Sequence, residues 1–122
     1  MNERLSALQI AVLCAYAAGM AGGQLLFKAA ALRFASDAPI GERLVGLLSN
    51  GYFVLAVTLY AALTVLWVWV LSFTPLSRAY PFVALAFALT PALGGLVFGE
   101  PLAPRLLAGI VLILGGLVLV AG

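Results

Sequence analysis

Histidine is absent from this 122-residue sequence, and cysteine occurs once. The first absence excludes a histidine-based nucleophilic triad and a Cys/His metal site. The single cysteine, Cys14, cannot build a disulfide framework within one chain and reads as a small apolar residue inside an apolar run. Charge is equally scarce. Charged residues make up 8% of the chain and hydrophobic ones 66%, whereas a soluble domain carries about a quarter charged. Six basic and four acidic residues cannot cover the surface of a water-soluble domain, so the chain reads as an integral membrane protein. The acids are Glu3, Asp37, Glu42 and Glu100, and none lies deep in an apolar run. That argues against an enzyme built on paired carboxylates. The basic residues are scattered and the net charge is only +2, which leaves no nucleic-acid footprint. No motif calls for a metal or other cofactor, and there is no P-loop.

What is present is long apolar sequence. A spanning helix needs about 20 mostly apolar residues, and four such segments fit, over about 5–32, 51–73, 76–98 and 104–121. The expected fold is therefore an all-α, four-span membrane protein forming a single domain over 1–122. The runs lack the period-two alternation of a β-barrel. "ASDAPIGER" (35–43) gathers Asp, Pro and Gly and reads as the longest loop. In "SFTPLS" (72–77), Thr74 before Pro75 suits an N-cap followed by the first helical residue. "GEPLAPR" (99–105) ends one helix at Gly99 and starts the next near Pro101 or Pro104. The first apolar run exceeds a signal-peptide core, and "FAS" (34–36) is a poor cleavage site, so the segment reads as a retained span. Four spans place Arg4 and Arg78 on one membrane face and Lys28, Arg33, Arg43 and Arg105 on the other. This leans toward a cytoplasmic long loop. So weak a bias also suits a chain that inserts both ways and forms an antiparallel dimer.

Small residues mark packing faces. Gly19 and Gly23 form a G-x-x-x-G in the first span, and Gly95 and Gly99 form another in the third. Gly109 and Gly116, close to two turns apart, share one side of a fourth span whose stretch "IVLILGGLVLV" (110–120) has no polar side chain, and they suit packing or dimerisation. Pro81 and Pro91 are expected to kink the third span, whose freed carbonyls need protein or water partners. That span should line an interior, with Tyr80 and Thr90 beside the prolines.

One stripe stands out. Tyr16, Met20, Gln24 and Lys28 follow one another at four-residue spacing on the first span. A cation there is costly unless it snorkels to the headgroups, pairs, or faces a polar cavity. All three are open to Lys28. It lies near the helix end, Glu100 falls on the same membrane face, and Gln24 would assist an anion in a cavity. Arg78 starts the third span at the opposite face. In an antiparallel dimer it would come to the side of the other chain's Lys28, and two converging cations suit a phosphate. Glu100 and Arg105 form a further candidate pair or gate.

"AGGQLLFKAA", "TPLSRAYPFVALAF" and "FGEPLAPRLLAGIVLILGGLVLV" resemble the small multidrug resistance superfamily. Within it they resemble most its four-helix flippase subunits for aminoarabinose-phosphoundecaprenol. The resemblance covers nearly the whole chain outside 34–46. It implies four helices per chain in a homodimer or heterodimer, often of opposed orientation, in the bacterial inner membrane. The drug-exporting branch carries a membrane-embedded glutamate on helix one, and here Met20 stands at that position. The lipid-carrier branch usually has a small residue where Arg78 stands. These features imply a non-enzymatic transporter of a polyprenyl-phosphate-linked sugar or related lipid phosphate, with Lys28, Gln24, Arg78 and Tyr80 contacting the substrate. A proton-coupled exporter of small organic cations is the alternative, disfavoured by the missing acid. A non-transporting scaffold subunit is a third reading.

Overall fold

The computed structural model describes residues 5–34 and 37–121. Glu3 and Arg4, and the last two residues of "FAS", lie outside them. The described residues carry no strand. They form α1 (Ala7–Ala31), α2 (Ile40–Leu48), α3 (Gly51–Leu71), α4 (Leu76–Ala79), a 3₁₀ turn (Tyr80–Phe82), α5 (Val83–Phe98) and α6 (Pro104–Ala121). Four stretches are long and apolar enough to span a bilayer: α1, α3, the run from Leu76 to Phe98, and α6. The molecule is an all-α, four-span membrane protein.

Local chemistry sets the helix ends. At the start of α1, Ser6 Oγ accepts from the Gln9 backbone N–H at 3.1 Å, and Gln9 Oε1 accepts from the Ser6 N–H at 2.7 Å. This is a capping box. The Gln9 amide has a second use: Nε2 donates to Thr74 Oγ1 at 3.0 Å and to the Phe73 carbonyl at 3.3 Å. Thr74 therefore does not take the N-cap role expected of it. Pro75 is the cap residue, the helix begins at Leu76, and Thr74 is buried against α1. A threonine hydroxyl at that depth is satisfied by the Gln9 amide, so the position serves α1–α3 registration rather than helix initiation.

At the other end of the bundle, Asn50 caps α3 by accepting from the Tyr52 N–H at 3.0 Å. Its Nδ2 donates to the Ala30 carbonyl at 3.2 Å, which ties the end of α1 to the start of α3. Between these two ties α1 and α3 run antiparallel. Their core is made largely of small residues: Ala17, Ala21 and Ala30 with Leu13 on α1, and Ala56, Leu63 and Val70 on α3. Small side chains let the backbones approach, which membrane packing requires in place of a hydrophobic driving force. Gly19 and Gly23 belong to this contact. A methyl group at Gly19 would lie 3.0 Å from Leu63, and one at Gly23 would overlap the Tyr60 ring.

Two features depart from the sequence expectation. The stretch expected as the longest loop carries α2, a nine-residue helix, over most of its second half. The third span is not one kinked helix. Pro81 falls in a 3₁₀ turn that separates α4 from α5, while Pro91 sits inside α5. The glycines of this span also divide their work. Gly95 leaves room for Leu102, and Gly99, at φ +67°, is the left-handed cap that ends α5. α6 starts at Pro104, packs against α5, and has no buried residue.

Candidate functional site

The α1 stripe meets a different set of partners at each level. Tyr16 stacks on Trp67 with ring centroids 4.9 Å apart, and Trp67 meets Tyr80 edge-on at 6.3 Å. Two turns further, Gln24 Nε2 donates to the Tyr60 hydroxyl at 2.8 Å. That hydroxyl donates in turn to the Met20 carbonyl at 2.8 Å. The Tyr60 ring stacks on Phe27 at 5.3 Å and covers Gly23. A polar side chain in a bilayer needs such partners, and here the chain supplies them itself.

Met20 and Gln24 also line an open cavity of about 370 Å³ between α1 and α5, with Ala86, Phe87, Thr90 and Pro91 on the far wall. Pro91 has no N–H to offer the Phe87 carbonyl four residues back. Gln24 and Thr90 are the polar residues among those lining the cavity, and the Phe87 carbonyl lacks its helical donor.

Lys28 lies one turn beyond Gln24. Its Nζ is 3.5 Å from Glu100 Oε2, with the two side chains 43% and 48% exposed. Glu100 reaches back along the end of α5, and its Oε1 lies over Gly94, where a methyl group would approach to 2.8 Å. Lys28 therefore neither stands alone nor is shut away. It has one carboxylate partner, half open to its surroundings, so the pair contributes little stability and is readily exchanged. No ion pair joins Glu100 to Arg105 among the described residues.

Of the other candidates, Arg78 and Tyr80 lie elsewhere. The Gln9–Thr74 contact fixes the α3–α4 turn at the start of α1, so Arg78 sits near that end. From Gln9 to Lys28 is nineteen residues, or about 28 Å along a helix. Within one chain Arg78 and Lys28 do not converge. Arg78 Nε is enclosed without a hydrogen-bond partner. Tyr80 is 61% exposed and belongs to the Trp67 level, away from Gln24. Sequence reasoning missed Tyr60. It sits in a span that is apolar on every side, so no periodicity marked which residue faces α1; its hydroxyl was the only available signal.

These observations define a small multi-pass membrane protein with a cavity between its first and third spans that Gln24 and Thr90 help line. Comparison with known proteins carries this further. The chain is 33% identical over 72 residues to the "Probable 4-amino-4-deoxy-L-arabinose-phosphoundecaprenol flippase subunit ArnE" of Enterobacter sp. (strain 638). The match covers 59% of this chain and 67% of that protein. No protein-family model matches the sequence, and no solved structure does. The chain belongs to the family of that flippase subunit. It is a membrane transport protein, multi-pass in the inner membrane.

Proposed function

We propose that the chain moves a polyprenyl-phosphate-linked sugar, or a related lipid phosphate, across the membrane, with Lys28 as the cation that meets the phosphate. The observation that carries this reading is the half-exposed Lys28–Glu100 pair, one turn from the Gln24 amide on the cavity wall. In it the Glu100 carboxylate holds the place of an anion. A lipid phosphate displaces it, because phosphate offers more acceptor oxygens to the same ammonium. Gln24 and Thr90 then hydrogen-bond the headgroup, while the polyprenyl tail stays in the bilayer. The named activity of the related subunit supports the substrate class. The cation-exporter reading is weaker, because Met20 stands in the stripe where an acid would be needed and, among the described residues, the one carboxylate paired to the stripe, Glu100, already faces Lys28.

Binding of undecaprenyl phosphate to protein in nanodiscs tests the assignment. Lys28→Ala should weaken binding about 10-fold or more, the loss of one charge-assisted contact. Glu100→Gln should tighten it, since the competing carboxylate is gone. Equal affinities in all three proteins would reduce Lys28 to a snorkelling lysine.

The related protein is named a subunit, and Arg78 stands at the far end of the bundle from Lys28. Both facts fit assembly with a second four-helix chain, of the same or a similar kind. In an inverted pair the second chain's Arg78 end lies level with Lys28 and becomes a second cation for the substrate.

A further inference from the structure

The loop helix α2 has no role in the site above, and its surroundings are unusual. Ile40, Leu44, Leu47 and Leu48 fall along one side at three- and four-residue spacings, with Glu42 on the other. Ile40, Leu44 and Leu48 are more than half exposed. Beside the helix is a small pocket of about 60 Å³, lined by Arg33, Phe34, Glu42, Arg43, Leu47 and Asn50 among others. The Arg33 guanidinium sits over the Tyr52 ring, 4.8 Å from its centroid, in a cation–π contact. Arg43 Nε is closed off from solvent and has no hydrogen-bond partner. Asn50 is committed to Ala30 and Tyr52. Neither arginine pairs with Glu42 among the described residues.

The C-terminal end of α2 is tethered close to the bilayer surface. It is followed within two residues by the spanning helix α3, whose start is bonded to the end of α1. A short amphipathic helix held at that level buries its apolar side among the headgroups and upper acyl chains. We propose that α2 lies in the membrane interface and that Arg33 and Arg43 clamp the phosphodiester of an anionic glycerophospholipid there. Two arginines and one glutamate give the pocket a formal charge of +1, the complement of a single phosphodiester. Arginine is suited to the task because its planar donors meet phosphate oxygens in pairs. The site is independent of Lys28.

Native mass spectrometry of the full chain, released from vesicles of equal phosphatidylglycerol and phosphatidylcholine, provides the test. The wild type should retain phosphatidylglycerol preferentially. R33Q/R43Q should lose the preference about 10-fold, and R33K/R43K should lose part of it. Lys28→Ala should leave it intact, which separates this site from the proposed substrate site. Millimolar inorganic phosphate should not displace the lipid; displacement would make the pocket a free-phosphate site and overturn the lipid assignment. Equal retention of both lipids, or no effect of R33Q/R43Q, would overturn it too. A second measurement does not depend on arginine variants that fold. In a Cys14→Ser background, a nitroxide at Leu44→Cys should be reached by oxygen and shielded from a water-soluble nickel chelate, and one at Glu42→Cys the reverse. Equal exposure to the chelate would place α2 in water and sink the proposal.

Discussion

Tyr60 does three jobs at once, which makes it the residue on which the α1–α3 contact turns. Its hydroxyl accepts from Gln24 and donates to the Met20 carbonyl, and its ring fills the space that Gly23 leaves. Tyr60→Phe keeps the ring and removes both hydrogen bonds. It should cost about 1 kcal/mol, a modest sum because the unfolded chain in a membrane also finds partners. Gly23→Ala acts on the packing alone. A methyl group there overlaps the ring, and overpacking of this kind costs about 1–3 kcal/mol. Because the two residues touch, their effects should not add. In a Tyr60→Leu background the added methyl meets a smaller, more flexible side chain, so Gly23→Ala should cost much less. Thermal unfolding of the four proteins in one detergent closes the cycle, and additive losses would show that the ring is not what Gly23 accommodates.

The third span shows how proline shapes an element to its task. Pro81 breaks it into α4, a 3₁₀ turn and α5, which turns Tyr80 toward Trp67. Pro91 removes the hydrogen bond that the Phe87 carbonyl would accept, at the wall of the cavity. Pro91→Ala should restore that bond and close off the acceptor. The expected result is unchanged or higher thermal stability with slower lipid translocation in proteoliposomes; loss of stability without loss of rate would assign Pro91 a packing role instead. The elements also show what was legible in the sequence. The four spans were, because hydropathy over about 20 residues is a bulk property. The Gly99 cap was, because only glycine sits easily at positive φ. The helix α2 was not: nine residues with two glycines, entered from an Asp- and Pro-bearing stretch, read as turn chemistry. The Gln24–Tyr60 bond was not legible either. A span apolar all round carries no signal for its own rotation, so which residue meets α1 is decided by packing. The Lys28–Glu100 pair was visible as one of three options for Lys28; that the two charges come within 3.5 Å depends on side-chain reach, which the sequence does not carry.

On the scale of the molecule, α6 is the element left without enough to do. It packs mainly on α5 and the 3₁₀ turn, sets Leu117 and Ala121 against the core without fully burying any residue, and exposes Val111, Leu112, Val118 and Leu119. Gly109, Gly115 and Gly116 have open space where a methyl group would stand, unlike Gly19, Gly23, Gly94 and Gly95, which are filled. Lipid can cover such a face, but lipid does not need glycine, whereas a second helix does. If a second copy packs here inverted, Gly109 of one chain lies near Gly116 of the other, because the crossing point falls midway between them. A parallel pair instead brings like against like. Cysteine placed at each position in a Cys14→Ser background separates these arrangements in membranes. An antiparallel pair should crosslink Gly109→Cys chains to Gly116→Cys chains and neither variant to itself, and a parallel pair the reverse. The inverted result would put Arg78 of one chain level with Lys28 of its partner, the arrangement that gives a lipid phosphate two cations. Self-crosslinking would remove that second cation and leave the anion to Lys28 alone.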